Sequence, residues 1–434
     1  MSERTMILKN ARLVDGSVVD LRIQNGLIAE ISTSLPNSAD AIDLDKNLLI
    51  PGLVDLHTHL REPGREDSET VASASAAAVT GGYTAVSAMA NTFPVADTAG
   101  VVEQVFRLGQ EAGLCDVFPI GAVTQGLNGA SLAELGAMAN SLARVRMFSD
   151  DGKCVFDPLL MRRALEYVKS FNGIIAQHAQ DPRLTVGAQM NEGVISGQLG
   201  LTGWPAVAEE AIIARDILLA DHVGSRLHIC HLTTAGGVEL VRAAKARGIN
   251  VTAEVTPHHL LLTDDLVVGY DPVFKVNPPL RTSKDVEALR IGLADGTIDV
   301  VATDHAPHPA EDKDCEWQGA AFGMLGLETA LSVVATAMID TKLMDWATLV
   351  ERMSIAPARI AGYGSHGGTI AVGSAANLAV IDTSAVWQVD RNRLVSKSRN
   401  TPFHGMNLSA VVKRTIFKGL EVFSNGEVLN RGNL

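Results

Sequence analysis

The chain has 434 residues, 47% of them hydrophobic and 20% charged, a balance that suits a globular protein with a large core rather than a disordered chain. Its 36 Lys and Arg against 49 Asp and Glu leave a formal charge of −13, which excludes the broad basic surface that nucleic-acid backbones require. The opening stretch MSERTMILKN lacks the basic and apolar parts of a secretory leader, and no apolar run approaches the ~20 residues of a membrane span, so a cytoplasmic protein without membrane contact is expected. The four cysteines are scattered, with no CxxC pair, and are expected as reduced thiols.

In chain order, the first fifty or so residues alternate apolar and polar positions, with turn signals at Asp15-Gly16 and Asn25-Gly26. The pattern then changes to short apolar segments, each followed by a helical pattern. The segments are LIPGLVDLHTH, YTAVSAMANT, CDVFPIGAVT, RVRMFSDDG, GIIAQHAQD, RLHICHLTT, NVTAEVTPHHL and TIDVVATDHAPH. Stretches such as PLLMRRALEYVKSF and VAEEAIIARDILLADH carry apolar residues at helical spacing. The repeat predicts an α/β fold, a (β/α)8 TIM barrel with insertions beyond the usual ~250 residues. The chain end returns to short strands with a turn at Asn425-Gly426. Neither end closes a core alone, so residues 1–53 and 363–434 are expected to combine into a small β-sandwich domain, with the barrel over 54–362.

Polar residues cluster where the apolar segments finish. His57 and His59, Asn91, Asp150 and Asp151, His178, His231 and Asp304 all fall near C-terminal ends, where barrel active sites lie. Residues two apart on a strand face the same way, so His57 and His59 can reach one ion. A hydrogen-bonded histidine pair is the plain alternative for His-x-His alone; the later histidines and acids weigh against it. Four imidazoles with one or two carboxylates suit zinc, with manganese or cobalt as substitutes. Two ions bridged by a carboxylate, ~3.5–4 Å apart, use the set better than one ion and hold a hydroxide of pKa near 7. In FSDDG either Asp150 or Asp151 can bridge, and spacing does not choose. His228, three residues from His231, is expected to face away. His258 and His259 read as support, and His305 as pointing opposite Asp304. The Gly-Gly pairs lack any nucleotide-binding context.

Taken together and in order, DLHTHLREPG, MANTFP, MFSDDG, HLTTAGG, EVTPHHL, VNPPLR and ATDHAPH resemble the dihydroorotases of the long bacterial type, in the amidohydrolase superfamily. The resemblance spans the barrel and, more loosely, both ends. It implies His57 and His59 as ligands of one zinc ion, His178 and His231 as ligands of a second, and Asp151 as the bridge. It implies Asp304 as the remaining ligand and the catalytic acid/base. Substrate contacts fall on His59, Arg61, Asn91, Asn277 and His308, with backbone near Phe322 and Gly323. The implied reaction is the reversible hydrolysis of dihydroorotate to N-carbamoyl-aspartate by a metal-bridged hydroxide, in pyrimidine biosynthesis. A homodimer and an association with aspartate transcarbamoylase are further family expectations.

Two alternatives stand beside this reading. One is a dihydropyrimidinase, hydantoinase or allantoinase, relatives that bridge their metals with a carbamylated lysine; here Lys153 follows the acids of FSDDG. The other is a catalytically silent partner of the transcarbamoylase, which should have lost ligands, whereas this chain keeps them. The segment HAPHPAEDKDCEWQGAAFGMLG is expected as a mobile lid carrying His308.

Overall fold

The computed structural model describes residues 5–36, 38 and 41–429. The outermost residues of the expected β unit, 1–4 and 430–434, lie outside them. Eight short parallel strands form the barrel: Leu53–Thr58, Tyr83–Ala88, Asp116–Pro119, Met147–Phe148, Ile174–Gln177, Arg226–Ile229, Val251–Val255 and Val300–Val301. Neighbours pair in parallel in chain order. Two single bridges close the circuit, Gly121 to Phe148 between the third and fourth strands and Thr58 to His305 between the first and eighth. The segments read as unbroken apolar runs because helices cover the outside and side chains fill the inside; Leu53–Thr58 and Tyr83–Ala88 are buried at every position.

The helices follow local rules. In Pro158–Lys169 the Asp157 carboxylate accepts the Leu160 N–H at 2.8 Å, and proline occupies the first turn, where its missing N–H costs nothing. Met161, Ala164, Leu165 and Val168 recur at three and four residues and form the buried face. Removing the Asp157 cap would cost about 1 kcal/mol, and truncating Leu165, wholly buried, about 2–5 kcal/mol. The second expected helix spans Val207–Val223 and ends at Gly224 with φ 66°, a left-handed cap that glycine adopts without strain.

The two chain ends meet in one nine-stranded sheet. Leu48–Pro51, from the N-terminal part, runs antiparallel to the start of Leu378–Gln388, from the C-terminal part. Leu8, Leu21, Ile28, Leu49, Leu378 and Ile416 give this unit a core drawn from both ends. Two of the expected turns have positive φ at both central residues, Asn25 and Gly26 at 52° and 82°, Asn425 and Gly426 at 46° and 94°, as a tight hairpin requires. No helix among the described residues is long and apolar enough to cross a membrane.

Candidate active site

The strand tips deliver their side chains to one buried cluster. His57 and His59 close the first strand, and the alternation rule holds: the Nε2 atoms of both approach Asp151 Oδ2, at 3.4 and 3.3 Å. His178 follows the fifth strand and His231 the sixth. His178 Nδ1 and His231 Nε2 each stand 3.1 Å from Asp151 Oδ1. One carboxylate therefore turns one oxygen to each histidine pair. Asp150 faces the other way and accepts the N–H groups of Val123 and Thr124 at 2.8 and 2.9 Å, so of the two adjacent acids only Asp151 enters the cluster. Asp304 Oδ1 lies 2.9 Å from His59 Nε2 and 3.5 Å from His57 Nε2.

Three residues here occupy the left-handed region unusual for side-chain-bearing residues: His231 at φ 29°, Asp304 at 47° and Arg61 at 63°. Such backbone costs of order 1–3 kcal/mol each and persists where surrounding contacts over-determine it. The turn away from strand geometry is what swings these side chains over the barrel mouth.

Charge is concentrated. Burial alone would push the His57 imidazole down, but Asp151, Glu254 and Asp304 outweigh it and hold it well above the ordinary histidine value. Burial would raise the Asp151 carboxyl, yet His57, His178 and His231 drive it well below the usual range. Asp304 is drawn down to about 2 against its own burial, chiefly by His57 and His59. Ligand atoms of His57, His59, Asp151 and Asp304 lie within 4.8 Å of one another, and so do those of Asp151, His178 and His231. His57 Nε2 is buried and finds no hydrogen-bond partner among the described residues. A buried nitrogen without a partner, facing two carboxylates, fits a metal ligand better than a packing residue.

The expected substrate residues ring this cluster. Arg61 Nε donates to the Pro307 carbonyl at 3.1 Å, and its Nη2 is 3.3 Å from His308 Nε2. The neighbouring acids Glu62 and Glu66 do not pair with it; they accept the N–H groups of Val71 and Gly64. Burial lowers the Arg61 guanidinium to about 10, still charged at neutral pH. Asn91 Oδ1 is 2.8 Å from His59 Nδ1, and Asn277 Nδ2 is 3.3 Å from Gln180 Oε1. Asn277 Oδ1 is buried without a hydrogen-bond partner among the described residues. His308 Nε2 is 2.9 Å from the Phe322 carbonyl, and burial with the nearby Arg61 depresses its imidazole to about 2, so it is neutral. Gly323 has φ 145°, and a Cβ there would come within 2.8 Å of His308 Nε2.

The segment expected as a lid is folded against the mouth. Lys313 Nζ donates to the carbonyls of Lys275 and Ala321 at 3.0 and 2.9 Å, and Lys275 Nζ to that of Trp317 at 2.6 Å. Arg65 pairs with Asp312 at 2.6 Å.

One expectation fails. His228 does not face away: its Nε2 is 3.0 Å from Glu254 Oε2, and Glu254 in turn holds His57. Alternation fails because the regular strand stops at Ile229 and His231 turns to positive φ. Motif reading also passed over Glu254 and Gln180. Glu254 had a signal, an acid inside the buried strand Val251–Val255. Gln180 Oε1, 2.7 Å from His178 Nε2, sits two residues past that histidine and turns the Nδ1 toward Asp151.

A barrel with histidines and aspartates gathered at its C-terminal mouth, joined to a β unit made from both chain ends, defines the amidohydrolase class. Solved structures agree. The L-hydantoinase (dihydropyrimidinase) of Arthrobacter aurescens superposes with a TM-score of 0.87 at 28% identity, covering 99% of this chain and 98% of that one. The dihydropyrimidinase of Brevibacillus agri, at a TM-score of 0.83 and 20% identity over 99% and 97%, shares the fold. A dihydro-orotase-like family profile matches residues 46–236. The dihydroorotase of Streptomyces coelicolor is 63% identical over 97% of this chain and 99% of its own, and that of Leifsonia xyli 61% over 99% and 98%. The dihydroorotase of Mycobacterium tuberculosis is 53% identical over 95% and 97%. The chain belongs to the dihydroorotase family.

Proposed function

We propose that this chain opens the ring of dihydroorotate to N-carbamoyl-aspartate, and closes it in the biosynthetic direction, with two zinc ions per chain. His57 and His59 would hold one ion and His178 and His231 the other, with Asp151 shared and Asp304 completing the set. The observation that carries the reading is the Asp151 carboxylate, one oxygen toward each histidine pair. When bound, divalent ions supply a Lewis acid for the ring carbonyl and lower the pKa of a water toward ~7.

The chain's own residues do the rest. Arg61 presents a planar fork suited to the substrate carboxylate. Asn91 and Asn277 offer amide groups to the ring's polar edges, and neutral His308 orients the acid group beside Arg61. Asp304 takes the proton of the attacking water and delivers it to the departing ring nitrogen; its low pKa favours the basic form that the first transfer needs. Closure of 305–326 over the substrate would exclude bulk water.

Turnover of dihydroorotate, hydantoin and dihydrouracil by the zinc-loaded chain tests the reading. Activity confined to dihydroorotate supports it, and preference for the neutral rings favours the hydantoinase alternative. That alternative draws on the likeness to hydantoinases, but Lys153 is exposed while Asp151 stands in the cluster. A carbamate adduct on Lys153 in mass spectrometry would reverse the choice. A cytoplasmic homodimer, and association with aspartate transcarbamoylase, complete the proposal; size-exclusion chromatography with and without that enzyme checks both assembly states.

A further inference from the structure

Glu254 takes no part in the reaction outlined above, yet its carboxylate, 1% exposed, touches both halves of the cluster. Oε1 lies 2.6 Å from His57 Nδ1 and also accepts the backbone N–H of His231 at 3.1 Å. Oε2 lies 3.0 Å from His228 Nε2, and His228 Nδ1 is 2.8 Å from Thr252 Oγ1. A backbone N–H can only donate, so Oε1 is an acceptor, and the His57 Nδ1 beside it must carry a proton. In neutral His57 that leaves the lone pair on Nε2, the buried atom without a hydrogen-bond partner. The same oxygen anchors the backbone of His231 at its strained φ of 29°.

We propose that Glu254 is a positioning residue shared by both halves of the metal centre, fixing the His57 tautomer through its side-chain contact and the His231 backbone through the second. The inference rests on the metal-dependent reading above. His228 holds the other carboxylate oxygen and stops the group from swinging away. Glu254 is not itself a ligand: although it lies within ligand distance of His57 and Cys230, its Oε1 is spent on two N–H donors. Carboxylates behind ligating histidines typically contribute 10–100-fold to metal affinity, through ring orientation and ligand basicity.

The test is zinc affinity of the full chain, by competition with a chromophoric chelator, for wild type, Glu254→Gln and Glu254→Ala. The glutamine keeps an acceptor at Oε1 and can donate to His228, so it removes the charge and leaves the geometry. Circular dichroism and urea unfolding of the zinc-free proteins report the fold separately. We expect Glu254→Gln to bind at least one ion about tenfold more weakly and Glu254→Ala up to about 100-fold, with apo stability of the glutamine variant unchanged. Absorption of the cobalt-loaded glutamine variant should shift as well, a change in ligand field that a purely structural role would not produce. If the alanine variant fails to fold, the glutamine variant decides alone. Zinc binding by Glu254→Gln within twofold of wild type, with an unshifted cobalt spectrum, overturns the inference while leaving the metal reading standing. A wild-type chain that retains no divalent ion overturns both.

Discussion

Asp304 Oδ1 lies 2.9 Å from His59 Nε2, both side chains buried at the barrel mouth. The contact sets the carboxylate proposed to take the proton against the imidazole proposed to hold an ion, and it fixes Asp304 in spite of a φ of 47°. Asp304→Asn keeps the size and one acceptor but cannot carry the proton. Its kcat for dihydroorotate hydrolysis should fall about 10²–10⁴-fold, with an unchanged circular dichroism spectrum. Full activity in that variant would remove the proton-transfer role.

Arg61 Nη2 lies 3.3 Å from His308 Nε2, and both are proposed to face the substrate carboxylate. Arg61→Met should raise KM for dihydroorotate about 10- to 100-fold, the cost of a hydrogen-bonded charge contact. Any residual turnover of neutral hydantoin should not change in parallel. Equal losses on both substrates would mean that the arginine supports structure rather than the substrate carboxylate.

Gly323 tests the same wall from behind. A methyl group there would meet His308 Nε2 at 2.8 Å and Ala306 Cβ at 2.9 Å, on a backbone with φ 145°. Gly323→Ala should displace His308 and raise KM, with a stability loss of about 1–3 kcal/mol readable in urea unfolding. An unchanged KM would show that His308 does not contact substrate.

Lys313 makes stability depend on pH. Burial, with Lys275 beside it, lowers its ammonium from the ordinary 10.5 to about 7; Asp271 and Cys315 oppose the shift. Between those values the unfolded chain binds the extra proton, so the contribution of Lys313 to stability rises with pH from about 7 toward 10. Unfolding midpoints at several pH values in this window should rise less steeply in Lys313→Met than in wild type. Identical slopes would count against the shift. Limited proteolysis of 305–326 with and without ligand addresses the lid; unchanged protection would argue against closure.

Much of this was legible in the chain. Eight apolar runs followed by helical patterns gave the barrel, because each strand must be buried on both faces. The Asn-Gly pairs marked hairpins through their tolerance of positive φ. His57 and His59 were readable as a same-face pair because they close a regular strand. His228 was misread for the converse reason: strand geometry ends before His231, and no local pattern announces a left-handed histidine. Spacing left Asp150 and Asp151 open and only the family resemblance pointed to Asp151; the physical reason, the amides of Val123 and Thr124 that claim Asp150, comes from another strand end. Glu254 showed as an acid in an apolar strand, but its role did not, because its three partners lie on the first and sixth segments. The lysines that tie down 305–326 bond to backbone carbonyls, which no side-chain motif encodes.

The most direct test of the account is metal content and dihydroorotate turnover measured on the same samples, after chelation and after stepwise return of zinc. The account predicts no turnover in the stripped chain and recovery that reaches its plateau at two ions per chain. Undiminished turnover by ion-free protein, or zinc-loaded protein that leaves dihydroorotate intact, would contradict it.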